Sequence, residues 1–151
     1  MKKYCYNSPI GKVWIAEKDG KISNVGFSDN LDCGIEKTPI ITETCRQLDE
    51  YFAKKRKVFE LPLCLEGTEF QKKVWNALLT VEYGKTVTYG DIAKLINQPK
   101  ASRAVGGANN KNKIAIIIPC HRIIGKNGTL TGYAGGLNVK QYLLDLEQRL
   151  D

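Results

Sequence analysis

Ile114-Ala115-Ile116-Ile117-Ile118 is an unbroken apolar run in which four of five residues are β-branched. A run with no polar face has to be covered on both sides, and β-branching favours extended backbone. The stretch therefore predicts a short strand through a core. With 151 residues and 42% hydrophobic side chains, the chain can build that core as one ordinary domain or as two small ones. The run delivers Pro119-Cys120-His121-Arg122 to its end, at the margin of the apolar interior.

Charged residues make up 26% of the chain, and no apolar run approaches the ~18 residues of a membrane span, so no membrane partner is expected. The start Met1-Lys2-Lys3-Tyr4-Cys5 lacks the apolar stretch of a signal peptide, which predicts retention in the cell. The net charge of +7 is unevenly placed: residues 1–66 carry 11 basic and 10 acidic side chains, residues 67–151 carry 12 and 6. From Lys85 to Lys126 there are eight basic side chains and one acidic. A solvated basic face and a polyanion-binding surface both fit that stretch. Five cysteines (5, 33, 45, 64 and 120), odd in number and without CxxC spacing, point to free thiols rather than a disulfide framework. One histidine excludes a His-rich metal centre. A zinc site from Cys5, Cys33, Cys45 and Cys64 is formally open, but it lacks the short ligand pairs that such sites use, so neither metal nor cofactor is expected.

Residues 2–28 read as a β-meander. Tyr4 and Tyr6, Val13 and Ile15, and Ile22 and Val25 lie in β-prone runs broken by Asn7-Ser8-Pro9 and by Asp19-Gly20, a hairpin signal. Ile41, Cys45, Leu48 and Phe52 make one face of a helix from about Thr42 to Lys55, covering the sheet. Phe59, Leu61, Leu63 and Leu65 alternate, with Pro62 placing that segment at an edge. Beyond a boundary near residue 66, Thr68-Glu69-Phe70-Gln71 and Thr88-Tyr89-Gly90-Asp91 are capping boxes that open two helices, the first ended by Gly84. A third helix runs from about Lys100 to Asn109, three residues after the second, and the pair reads as a helix-turn-helix. A last helix from Leu137 carries Val139, Tyr142, Leu143, Leu146 and Leu150 as its apolar stripe. The fold class is α+β: a small N-terminal antiparallel sheet with a covering helix (1–66), then a mostly helical domain (67–151) with a helix-turn-helix and a buried strand leading to Cys120.

A buried cysteine is commonly an inert small hydrophobe, a reading that suits Cys45 and Cys64. Cys120 differs in its company: it adjoins the chain's one histidine and Arg122, within the most basic stretch. A free thiol with a pKa near 8.5 is only a few per cent thiolate at neutral pH, and cations or a basic imidazole raise that fraction. Neighbouring side chains on extended backbone point apart, so His121 needs a bend or a bridging water to take the thiol proton. Glu147 on the last helix is a candidate to orient the imidazole; an exposed helix carboxylate is its plainer alternative. Composition and spacing stop at a DNA-associated cysteine enzyme.

Pro119-Cys120-His121-Arg122, preceded by Ala101-Ser102-Arg103-Ala104-Val105-Gly106-Gly107-Ala108 and followed by Tyr133-Ala134-Gly135-Gly136-Leu137, closely resembles the methylated-DNA-protein-cysteine methyltransferases, or O6-alkylguanine-DNA alkyltransferases. The likeness covers residues 68–151 almost without a gap; residues 1–66 match only in length and in plan. It implies a DNA repair protein that moves an alkyl group from guanine O6, with O4-alkylthymine as a further candidate, onto Cys120 in a single turnover. The thioether product is not hydrolysed. It implies His121 as the base acting through a water, Glu147 as the group holding His121, and Tyr89 as a hydrogen-bond donor to the guanine ring nitrogen. Tyr133, Ala134, Gly135, Ile123 and Asn112 would line the base pocket, Asn112 as a hinge beneath the active-site strand. The target nucleotide is flipped out of the duplex, with Arg103 as the finger that fills the space. Lys100, Ala101, Ser102, Gly106, Gly107 and Arg122 would meet DNA through the minor groove, whose degenerate readout suits repair at any sequence. A monomer in the cytoplasm, or in the nucleus of a eukaryote, is the expected form.

Two departures matter. Ala134 stands where some relatives have serine, which leaves a backbone N–H to reach guanine O6. The first domain lacks the histidines that zinc-binding relatives use. Two other classes remain open: a non-catalytic DNA-binding regulator, and a Cys-His hydrolase that ignores DNA.

Overall fold

Asp19 at φ 53° and Gly20 at φ 78° supply the paired positive angles of a two-residue type I′ turn, and the chain folds back there as the dipeptide predicts. In the computed structural model, which describes residues 2–27 and 34–148, β1 (Lys2–Ser8), β2 (Gly11–Lys18) and β3 (Lys21–Phe27) form an antiparallel sheet in that order. A register shift at Ala16/Glu17 lets Ile15 and Ala16 both reach the interior, beside Tyr6, Val13, Ile22 and Val25. α1 (Pro39–Phe52) begins three residues before the apolar periodicity suggests, because Thr38 caps the Ile41 N–H and Pro39 sits at the first turn, where its missing donor costs nothing. It buries Ile41, Cys45, Leu48 and Tyr51. The segment around Pro62 touches β3 at one point, where Ile22 donates to the Pro62 carbonyl and Cys64 donates to the Ile22 carbonyl. Cys45, Cys64 and Cys120 are free thiols, but Cys5 is disulfide-bonded, which corrects the expectation of free thiols at that position; Cys33 and Leu150 lie outside the described residues.

The chain divides into two compact units, Met1–Leu65 and Glu66–Asp151. In the second, both capping boxes form. Thr68 and Gln71 exchange bonds at the start of α2 (Glu69–Leu78), and Thr88 and Asp91 do so at the start of α3 (Tyr89–Leu95). α4 (Ser102–Asn110) follows, packed on α2 and α3 through Val105 and Ala108 and tied by the buried Trp75 indole N–H, which donates to the Ala108 carbonyl at 2.9 Å. β4 (Val87–Thr88) pairs in parallel with β5 (Ile123–Ile124), and α5 (Leu137–Gln148) closes the unit. The α+β class is borne out. None of the described helices is long and apolar enough to cross a membrane.

The isoleucine run is buried as expected but is not a strand. Residues 114–118 fold into a tight knot in which Ile117 N–H donates to Ala115 O and Ile118 N–H to Ile114 O, with Ile116 at φ 72°. That is a γ-turn centred on a β-branched residue in the left-handed region, a conformation that costs of order 1–3 kcal/mol and persists only where its surroundings impose it. Asn112 imposes it. Its amide accepts from Ile114 N at 3.0 Å and donates to Ile118 O at 3.0 Å, taking backbone groups that a sheet neighbour would otherwise satisfy.

Candidate active site

The knot sets the geometry of the reactive stretch. Cys120 N–H donates to Ile118 O at 2.7 Å across Pro119, whose φ −79° and ψ 63° make an inverse γ-turn. Cys120–Arg122 then form one 3₁₀ turn, closed by Arg122 N–H to Pro119 O at 2.9 Å. The bend that adjacent Cys and His side chains require is thus present, since successive residues of a 3₁₀ turn diverge by about 120° rather than 180°.

Glu147 is the hub. Its Oε2 lies 2.6 Å from His121 Nε2, while Arg122 donates through Nε to Oε1 at 2.8 Å and through Nη2 to Oε2 at 3.0 Å. Burial alone would raise its carboxyl, but the His121 hydrogen bond and the hydrogen-bonded Arg122 guanidinium outweigh it and hold Glu147 at about 2. A carboxylate only accepts, so Nε2 carries the imidazole proton and Nδ1 is the basic atom. Nδ1 is buried and has no hydrogen-bond partner among the described residues. Burial lowers the His121 pKa, against the pull of Glu147, and keeps the ring neutral at pH 7. The expected exposed-carboxylate alternative for Glu147 is thereby removed: the residue is 5% exposed.

Cys120 is 6% exposed, and burial pushes its thiol up; the Asn112 amide, the Lys140 charge, its own backbone N–H and the Tyr133 hydroxyl act in the opposite direction, in that order. The resting thiol is protonated, and the groups that favour thiolate already surround it. Tyr133 belongs to a turn, closed by Gly136 N–H to Tyr133 O at 2.9 Å, that carries Ala134 and Gly135 into α5. Lys140, one turn into that helix, is fully buried. Its Nζ donates to the carbonyl and to the hydroxyl of Thr131, each at 3.3 Å, and the Thr131 hydroxyl lies 2.5 Å from Tyr89 OH.

A groove of about 430 Å³ runs between Tyr89 and the outer face of α4, lined by Ser102, Arg103, Gly106, Gly107 and Asn110. Arg103 is exposed, and Gly107 faces open space. A β-carbon on Gly106 would sit 3.6 Å from the Tyr89 ring. A second concavity of about 510 Å³, also lined by Tyr89 and Ser102, includes Lys94 and Lys126.

Residues 1–65 match the family described as "6-O-methylguanine DNA methyltransferase, ribonuclease-like domain", and residues 69–149 match "6-O-methylguanine DNA methyltransferase, DNA binding domain". The chain belongs to this family. The methylated-DNA–protein-cysteine methyltransferase of Methanosarcina acetivorans is 52% identical over 148 residues, 94% of this chain and 95% of that protein. The constitutive enzyme of Bacillus subtilis is 44% identical over 93% of this chain and 92% of its own. The crystal structure of Mycobacterium tuberculosis OGT in complex with DNA superposes with a TM-score of 0.88 at 44% identity, covering 95% of this chain and 91% of that one.

Against that family background the structure revises several expected roles. Arg122 is not on a DNA-facing surface: 7% exposed, it is committed to Glu147, donates to Val81 O at 2.6 Å, and lies over the Tyr83 ring. Ile123 is fully buried in β5 and offers no side-chain surface to a base. Lys100, Ala101, Ser102 and Arg103 do lie together at the start of α4, with Lys100 and Arg103 exposed. The buried face of α5 is Lys140, Leu143, Leu144 and Glu147; of the expected stripe Val139, Tyr142, Leu143 and Leu146, only Leu143 lies on it, and Leu150 is outside the described residues. Sequence reasoning missed Lys140 for that reason, and Thr131 gave no signal of its own. For Lys140 the signal was present: Lys140 and Glu147 are seven residues apart, hence on one helix face, and each flanks Leu143-Leu144.

Proposed function

We propose that this methyltransferase repairs DNA by moving an alkyl group from guanine O6 to Cys120. One observation carries the assignment of the nucleophile: Cys120 leads a 3₁₀ turn whose next residue, His121, has its Nε2 proton committed to Glu147 and its Nδ1 free to accept. In the reaction His121 Nδ1 takes the thiol proton through a water. The thiolate attacks the alkyl carbon in line, the sulfur–carbon bond forms as the carbon–O6 bond breaks, and the electron pair leaves on guanine. Tyr89 donates to the base as it departs, and the thiol proton ends on guanine. A thioether is stable to water, so each chain acts once.

The substrate is double-stranded DNA, with the lesion flipped out. Arg103, Lys100, Ala101, Ser102, Gly106 and Gly107 form the contact surface, approaching from the minor groove, and Arg103 fills the vacated stack. Tyr133, Ala134, Gly135 and Asn112 shape the base pocket. The second unit carries the chemistry and the first acts as scaffold; the protein works as a monomer, without metal or cofactor, in the compartment that holds the DNA. Intact-protein mass spectrometry after incubation with duplex O6-methylguanine DNA tests this. One methyl per chain is expected, mapped to Cys120 and absent in Cys120→Ser. An unchanged mass with sequence-selective binding would identify a regulator instead, and repeated turnover on small esters a hydrolase.

A further inference from the structure

Tyr89 is the one donor assigned to the departing base, and its hydroxyl is tied into the protein by Thr131, whose own hydroxyl is tied to Lys140. The direction of the chain follows from donor chemistry. A lysine ammonium has donors and no acceptor, so Lys140 Nζ donates to Thr131 Oγ1 at 3.3 Å and to the Thr131 carbonyl at 3.3 Å. With Oγ1 accepting from Lys140, the Thr131 proton is best placed on Tyr89 O, 2.5 Å away, and the Tyr89 proton is left to point outward. Tyr89 itself lines both concavities on the α4 side. Lys140 is fully buried, and its charge acts on Cys120 as well.

We infer that Thr131 is a positioning residue for alkyl transfer: held by Lys140, it fixes Tyr89 as a polarised donor aimed at the leaving base. The inference rests on the proposed role of Tyr89. It links the two ends of the displacement, because one buried ammonium favours the attacking thiolate through space and the departing base through the Thr131–Tyr89 hydroxyls. A simple packing role for Thr131 makes no such link.

Thr131→Val keeps the shape and removes the hydroxyl. Single-turnover transfer from duplex O6-methylguanine DNA at saturating DNA should slow about tenfold, the equivalent of one charge-assisted hydrogen bond. DNA affinity should be unchanged, and Thr131→Ser should restore the rate. In a Tyr89→Phe background the Thr131→Val change should have no further effect, since the group it acts through is gone. Cys120 alkylation by iodoacetamide, which involves no purine leaving group, should proceed at the wild-type rate in Thr131→Val. Wild-type transfer by Thr131→Val, an equal slowing in the Tyr89→Phe background, or a matching loss with iodoacetamide would each overturn the inference. If Thr131→Val fails to fold, the Thr131→Ser and Thr131→Ala pair in the two Tyr89 backgrounds gives the same comparison. Should wild-type protein itself gain no methyl on Cys120, the underlying alkyl-transfer reading fails, a result distinct from any of these.

Discussion

Arg122 meets the Glu147 carboxylate edge on, with Nε 2.8 Å from Oε1 and Nη2 3.0 Å from Oε2, so that a residue in the most basic stretch of the chain neutralises a carboxylate inside the protein. Both partners are buried, at 7% and 5% exposure. Removing one leaves the other as an uncompensated buried charge, which costs about 3–5 kcal/mol, whereas a surface phosphate contact costs the fold almost nothing. Arg122→Met should therefore lower the urea midpoint strongly and leave the salt dependence of DNA binding as it is in wild type. The reverse pattern, a stable protein with a shallower salt slope, would return Arg122 to the DNA surface.

The same triad dictates how stability responds to acid. Glu147 sits at about 2 in the folded protein against 4.5 in an unfolded chain, so its contribution is complete above 4.5 and is lost as pH falls toward 2. Over that interval the shift corresponds to about 3 kcal/mol. His121, lowered from 6.5 by burial, acts in the same direction and earlier, because below 6.5 the unfolded chain binds the proton that the folded ring refuses. Urea midpoints should decline as pH drops from neutral through 6.5 and more steeply below 4.5; stability that rises on acidification through 6.5 would mean an imidazolium in the fold. The transfer rate should follow suit, its acidic limb lying below 6.5.

How much of this was legible in the sequence depends on whether a residue's neighbours were local. The type I′ turn at Asp19-Gly20 and the caps at Thr68 and Thr88 are decided within four residues, and each formed where its motif stands. The start of α1 is equally local, set by the Thr38 cap and Pro39 rather than by the apolar periodicity that begins at Ile41. The knot at 114–118 was not legible. β-branching gives burial, but strand formation also needs a neighbour with free backbone groups, and Asn112, two residues away, supplies those bonds instead. Lys140 was hidden by the rule that charge faces solvent, which fails where Thr131 receives the ammonium.

Asn112 is accordingly expected to matter twice. It makes hydrogen bonds to Ile114 N and Ile118 O, both at 3.0 Å, and a longer one to Ile114 O at 3.4 Å. Loss of these bonds around buried backbone in Asn112→Ala should cost about 2–3 kcal/mol. The amide also hydrogen-bonds the Cys120 thiolate, against the burial that pushes the thiol up, so the pH at which iodoacetamide labels Cys120 half-maximally should move up in Asn112→Ala. Destabilisation without that displacement would make Asn112 a structural residue alone.

On the proposed reading, Arg103 separates DNA handling from chemistry. It is exposed at the start of α4 and lines the groove beside Tyr89, and the hydrogen bonds of the Glu147 triad and of the Thr131 chain are made by other residues. A side chain that fills the gap left by a flipped nucleotide acts only when there is a stack to fill, and flipping costs a few kcal/mol that the finger offsets in part. Arg103→Ala should then slow transfer from duplex lesions by about tenfold or more while reaction with the free alkylated base stays at the wild-type rate. If the guanidinium contacts a phosphate instead, the salt slope of binding falls by about one and the slowing disappears at saturating DNA. The two roles are thus told apart by one titration at two salt concentrations, and equal losses on duplex and free base would exclude both, because a residue outside the chemical machinery has no means of slowing a reaction that involves no DNA.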